Sequence, residues 1–116
     1  MVKRMMRASE PKAADRILAA LSDPNRRTMI QKLIERPRSV NEIADGLPIS
    51  RPAVSQHLKV LAAAELVVKR KDGNRRIYSA NPVVIGELRA YVDALWEASL
   101  SSFASSIMKR KGGSDE

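Results

Sequence analysis

Apolar residues recur along this chain at two different periods, and the switch between them outlines the fold. Ile17, Leu18 and Leu21 lie on one stripe of a short segment, 13–21, and predict a first helix. Ser22-Asp23-Pro24 ends it and begins the next. Asp23 suits an N-cap, and Pro24 a first-turn position where its missing N–H is harmless. Met29, Ile30, Leu33 and Ile34 repeat at helical spacing up to Glu35-Arg36. Pro37 closes that helix, because proline disfavours helical geometry in the residue before it. Ser39-Val40-Asn41-Glu42 is a capping box, followed by a short apolar face of Val40, Ile43, Ala44 and Leu47 and by Gly46 as a left-handed stop. After a turn at Leu47-Pro48-Ile49, Ser50 is another N-cap, and Val54, Leu58 and Leu61 resume the helical period.

At Leu66 the period changes. Leu66-Val67-Val68 is β-rich, Asp72-Gly73-Asn74 is a tight-turn signal, and Arg75-Arg76-Ile77-Tyr78-Ser79 returns as a second strand. Asn81-Pro82 then caps a long helix over 82–109, on the order of 40 Å at about 1.5 Å per residue. Its stripe runs through Ile85, Leu88, Val92, Leu95, Trp96, Leu100, Phe103 and Ile107. The predicted fold is mainly α with a small β-hairpin. Residues 1–11 read as a flexible basic arm, 12–109 as one domain and 110–116 as a flexible tail.

Composition narrows what such a domain does. The 116 residues carry 21 Lys+Arg against 13 Asp+Glu, a net charge of +8, which favours a polyanionic partner. There is no Cys and one His, so disulfides, thiolate metal sites, Cys nucleophiles and multi-His metal sites are excluded. The sequence shows no apolar run of membrane-spanning length and no secretory signal, which predicts a cytoplasmic protein without a membrane partner. The carboxylates are scattered and no glycine loop cradles a phosphate, so neither an enzyme nor a cofactor is expected.

The informative unit is 39–76: helix, tight turn, helix, basic hairpin, the winged helix-turn-helix order in which the second helix reads the major groove. With Val54 set at 0° and about 100° per residue, Leu58 and Leu61 fall within about 40° of it, while Pro52, Ser55, Gln56 and Lys59 fall opposite. Ser50, Arg51, Pro52, Ser55, Gln56, His57 and Lys59 are therefore the candidate reading set. Gln56 suits adenine, Arg51 guanine or a phosphate, and Lys59 a phosphate. His57 lies at the border of the inward stripe, where packing and a phosphate contact are both open. In the hairpin, Lys69, Arg70, Lys71, Arg75 and Arg76 place five cations in eight residues, with Asn74 at the turn. Arg26, Arg27 and Ser39 are possible backbone contacts. A protein-interaction module that binds an acidic partner would show the same charge, and tolerance of Gln56→Ala would distinguish it.

At these residues the chain resembles the ArsR-type (ArsR/SmtB) winged helix-turn-helix repressors. Leu21-Ser22-Asp23-Pro24-Asn25-Arg26-Arg27 looks like that family's opening motif, and the run from Ser50 to Leu61 is similar to its recognition helix nearly residue for residue. The likeness covers roughly 13–96. It implies a homodimeric repressor on a palindromic double-stranded DNA operator, released in many members by an effector. The cysteine pair of many members is replaced by Ser39 and Asn41, and the last helix has no His, so the family's metal sites do not carry over and a branch that does not respond to metal is implied. Glu65 stands where the family usually has glycine; a left-handed backbone there would cost about 1 kcal/mol. The first and last helices are the expected dimer element, through Ile17, Leu18, Leu21, Leu88, Val92, Leu95, Trp96, Leu100 and Phe103.

Overall fold

A computed structural model describes the backbone of residues 11–114 and the side chains of 12–108. The predicted arm at 1–11 therefore lies almost wholly outside the described residues. Eight elements follow in order: α1 (Pro11–Ala20), α2 (Pro24–Glu35), β1 (Arg38–Ser39), α3 (Val40–Asp45), α4 (Arg51–Ala63), β2 (Val67–Asp72), β3 (Arg75–Ala80) and α5 (Pro82–Ser114). β2 and β3 form the expected hairpin, in antiparallel register from Val67 opposite Ala80 to Asp72 opposite Arg75. β1 is a correction: it pairs with β3, Arg38 opposite Tyr78, and makes a three-stranded sheet of order β1-β3-β2. A two-residue strand has no periodicity to read, and its pairing is set by tertiary contact alone.

The predicted stripes meet in one core. Ile17, Met29, Leu33, Ile43, Val54, Leu58, Leu61, Leu66 and Val84 are all buried, so each element contributes its inward stripe to the same interior. α2 and α4 are started by the predicted caps. The Asp23 carboxylate accepts from the backbone N–H of Asn25 (2.8 Å) and Arg26 (3.2 Å), and the Ser50 hydroxyl accepts from that of Ala53 (3.2 Å). Gly46 departs from expectation: its φ of −98° is not left-handed, and its N–H reaches the carbonyls of Ala44 and Ile43 in a tightened last turn.

Among the described residues, the non-glycine residue with a left-handed backbone is Glu65, with φ of 62°. Its N–H donates to Ala62 O (2.9 Å) and that of Leu66 to Leu61 O (3.0 Å), the pair of bonds that defines a Schellman stop, with Leu61 and Leu66 both buried across it. Asn81 holds the strained residue from outside by donating its side-chain N–H to Glu65 O (3.0 Å). The same asparagine caps α5 through its side-chain oxygen, which accepts from Val83 N–H (3.1 Å).

Ile17 corrects the dimer set. It is fully buried inside its own chain and has no area to offer a partner. Leu21 and Leu88 pack at the edge of the core, whereas Leu18, Val92, Leu95, Trp96, Leu100 and Phe103 are exposed. α5 also continues past the predicted end at 109 to Ser114.

Candidate nucleic-acid interface

The turn between α3 and α4, and the wing beyond them, place one cationic face on the molecule. Along α4, Val54, Leu58 and Leu61 point into the core, and Ser50, Arg51, Pro52, Ser55, Gln56 and Lys59 are exposed, as the wheel requires. Lys69, Arg70, Lys71, Asn74, Arg75 and Arg76 are exposed on the hairpin. Arg51 and Ser55 of the first set and Lys71, Asn74, Arg75 and Arg76 of the second meet across an open cleft of about 480 Å3 that Ser39, Val40 and Asn41 also line, whereas Ser50, Pro52, Gln56, Lys59, Lys69 and Arg70 lie outside its lining. Asn41 is a member that the sequence reading did not assign to the site. Its signal is positional: the capping box turns Val40 and Ile43 inward and leaves Asn41 outward, beside Arg51.

A carboxylate links the wing to α3. Glu42 Oε1 accepts from the Ser39 N–H (2.8 Å) and lies 3.6 Å from Arg75 Nη2, while Oε2 lies 3.7 Å from Arg36 Nη1. The Ser39 N–H holds the Glu42 carboxyl below its ordinary value; burial opposes this and the charges of Arg36 and Arg75 reinforce it. Ser39 lines the same cleft although it is only 7 % exposed, and its hydroxyl accepts from the Glu42 N–H and starts α3.

Arg26 and Arg27 reach back to the end of α1. Arg26 donates to the carbonyls of Ala20 and Ala19, and Arg27 to those of Leu21 (2.9 Å) and Ser22 (3.1 Å). These carbonyls belong to the last residues of α1 and the turn after it, so the two arginines brace the end of α1 while Asp23 caps α2. Arg26 also places Nη1 3.2 Å from His57 Nδ1. A guanidinium only donates, so it can hydrogen-bond to Nδ1 only where that nitrogen carries no proton. His57, half-buried, thereby ties α4 to the α1–α2 junction. Burial pushes the Asp23 carboxyl up, but the Arg26 and Asn25 N–H groups and the charges of His57 and Arg26 outweigh it and hold the group below its ordinary value.

A capped helix with a polar outer face, set beside a cationic β-hairpin on a helical body, defines a winged helix-turn-helix DNA-binding protein. Comparison with known proteins gives the family. Residues 23–69 match the model of the bacterial regulatory proteins of the arsR family. The chain is similar to the HTH-type transcriptional regulator Rv2034 of Mycobacterium tuberculosis, at 44 % identity over 96 residues, 83 % of this chain and 90 % of the relative. It is similar to the transcriptional repressor SdpR of Bacillus subtilis at 33 % identity over 69 residues, 60 % of this chain and 77 % of the relative. The solution structure of the homodimeric winged helix-turn-helix DNA-binding domain of Mb0332 from Mycobacterium bovis superposes with a TM-score of 0.62 at 25 % identity, covering 78 % of this chain and 84 % of that one. The chain belongs to the ArsR family of transcriptional regulators: it is a DNA-binding regulator and not an enzyme. Among the described residues, no helix is long and apolar enough to cross a membrane.

Proposed function

We propose that the protein is a homodimeric repressor that occupies a two-fold symmetric operator in cytoplasmic DNA. α4 lies in the major groove, where Gln56 and Arg51 read bases and Ser55 bonds to a base or phosphate, and Lys59 and the wing cations hold the backbone. The observation that carries this reading is the convergence of Arg51, Ser55, Lys71, Asn74, Arg75 and Arg76 on one open cleft. Charge alone would not define such a face; a polar helix edge flanked by a cationic hairpin does. Ser39 lines the cleft while starting α3, and Arg26 and Arg27 close the end of α1. The homodimer is supported by the apolar surface exposed on α5 and by the homodimeric Mb0332 domain; repression is supported by the naming of SdpR as a repressor. With no Cys in the chain and His57 held against Arg26, the inducing signal is not a metal bound at the thiolate or last-helix sites described for the family.

Selection of bound fragments from bacterial genomic DNA tests the proposal. The expected result is an inverted repeat whose half-sites are separated by about 34 Å, one helical turn. Recovery of fragments with no shared sequence, or of a single half-site bound by a monomer, overturns it.

A further inference from the structure

A second concave surface lies between the end of α2, the end of β3 and the start of α5. It is an open, mainly apolar groove of about 480 Å3, with Leu33, Ile34 and Pro37 on one side and Ile85 on the other. Small-molecule sites occupy about 300–1,000 Å3. Gly86 of α5 also lines the groove. Glycine is a poor helix former, and a Cβ at this position meets nothing within 4 Å, so packing within the chain does not ask for it. The missing side chain leaves room for an outside group to approach the backbone of α5.

The charges of the groove are unequal. Arg36 and Arg89 line it together with Glu35, and Glu35 already accepts from Arg38 Nη2 (2.9 Å). The two arginines hold their own carboxylates loosely. Arg36 Nη1, which also donates to the Pro37 carbonyl (3.3 Å), lies 3.7 Å from Glu42 Oε2, and Arg89 Nε lies 3.8 Å from Asp93 Oδ2. Both ion pairs are longer than a hydrogen bond. An apolar trough with two weakly engaged guanidiniums suits an organic anion with an apolar body.

The groove and the DNA cleft are built on the same strands. Ser79 and Ala80 of β3 line the groove, and Arg75 and Arg76 of that strand line the cleft. Between the two stands Glu42, whose Oε2 faces Arg36 and whose Oε1 lies 3.6 Å from Arg75 Nη2. We propose that the groove is an effector site for a small carboxylic acid with an apolar tail, and that filling it weakens the grip on DNA through Arg36, Glu42 and Arg75. The inference rests on the reading of the protein as a DNA-binding regulator and deepens it by naming the chemistry of the signal. The tail lies against Ile34, Ile85 and the open backbone of Gly86. The acid's carboxylate takes Arg36, with Arg89 as the second cation. Glu42 then loses Arg36 and is left to Arg75 alone. Arg75 is held to α3 and away from the phosphate it would otherwise neutralise. Such coupling is reciprocal, so operator DNA weakens binding of the acid by the same factor.

Calorimetric titration of the full chain with decanoate, below its micelle-forming concentration, tests the site. The expected result is saturable binding, no binding of acetate, which has the charge without the tail, and weaker binding of decanol, which has the tail without the charge. Gly86→Phe fills the groove, and Arg89→Gln removes a cation whose side chain is exposed. Each should weaken decanoate binding about tenfold and sediment like wild type. Decanoate that binds both variants as it binds wild type overturns the site. A change of oligomeric state in folded Gly86→Phe also overturns it, because a second copy then occupies the groove. If Gly86→Phe does not fold, Arg89→Gln decides alone. Operator titrations read the coupling. Saturating decanoate should weaken the wild-type complex about tenfold, and Glu42→Gln should bind the acid yet lose that response. An operator complex indifferent to bound decanoate overturns the effector role. A wild-type chain that selects no operator overturns the proposed function instead, while calorimetry still judges the groove.

Discussion

α4 and the distal half of α5 are both helices with an exposed face, and their faces differ in kind. α4 buries every large apolar residue of its stripe except Val60 and shows water Ser, Gln, Lys and Arg side chains. Past Tyr91, α5 shows water Val92, Leu95, Trp96, Leu100, Phe103 and Ile107. A polar, cationic face is complete in water and gains only when it meets phosphate and bases. An apolar stripe of that length costs free energy until it is covered. One face is therefore built for reversible binding to DNA and the other for standing association.

The comparison can be broken by matched substitutions. Leu58→Ala removes a fully buried side chain from the α4 stripe and is expected to destabilise the fold by about 2–5 kcal/mol in denaturant unfolding. Trp96→Asp, at an equally apolar position on α5, should leave the unfolding of the isolated chain nearly unchanged. It should raise the dimer dissociation constant on the order of 100-fold in sedimentation, because a charge would enter the apolar stripe that a second copy covers. A large loss of folding stability in Trp96→Asp would show that α5 belongs to the core of its own chain.

Smaller effects sharpen the account of α4 and its surroundings. Glu65→Gly relieves the left-handed strain at the end of α4, partly offset by the added freedom of glycine in the unfolded chain, and should stabilise by about 0.5–1 kcal/mol in thermal unfolding. No gain would mean that the Asn81 bond already removes the strain. The smallest effect is acid sensitivity. The carboxyls of Asp23 and Glu42 are held below their ordinary values, so their stabilisation is complete above the unfolded range near pH 4 and disappears as pH falls through the lower folded values. The unfolding temperature should fall below about pH 4, and Glu42→Gln should flatten that decline. An unaltered profile in Glu42→Gln would remove the carboxylate from its place between α3 and the wing.

Periodicity and caps made most of the fold legible, because Asp23, Ser39 and Ser50 each announce a helix start by a bond to the next turn. The outward face of α4 was legible for the same reason: three leucine-type positions determine where the other residues point. β1 was not, since two residues paired only to β3 leave no local trace. Ile17 looked like its exposed neighbour Leu18 because a stripe does not say which residue the rest of the chain will cover. The bonds of Arg26 and Arg27 were not legible, because a count of charges is blind to the carbonyls around the end of α1 that they reach. Glu65 was legible as an anomaly, and the structure supplied the reason it is tolerated.

The claim on which the rest depends is that Gln56 reads sequence while the wing supplies general affinity. Titration of a selected operator and of a random duplex, side by side, with wild type, Gln56→Ala and Lys71→Ala tests it most directly. Gln56→Ala should lose about 1–3 kcal/mol on the operator and almost nothing on random DNA. Lys71→Ala should weaken both alike and make the slope of log K against log salt shallower by about 0.9 for each lost phosphate contact. Equal losses on both duplexes for Gln56→Ala would contradict the assignment of α4 as the reading element.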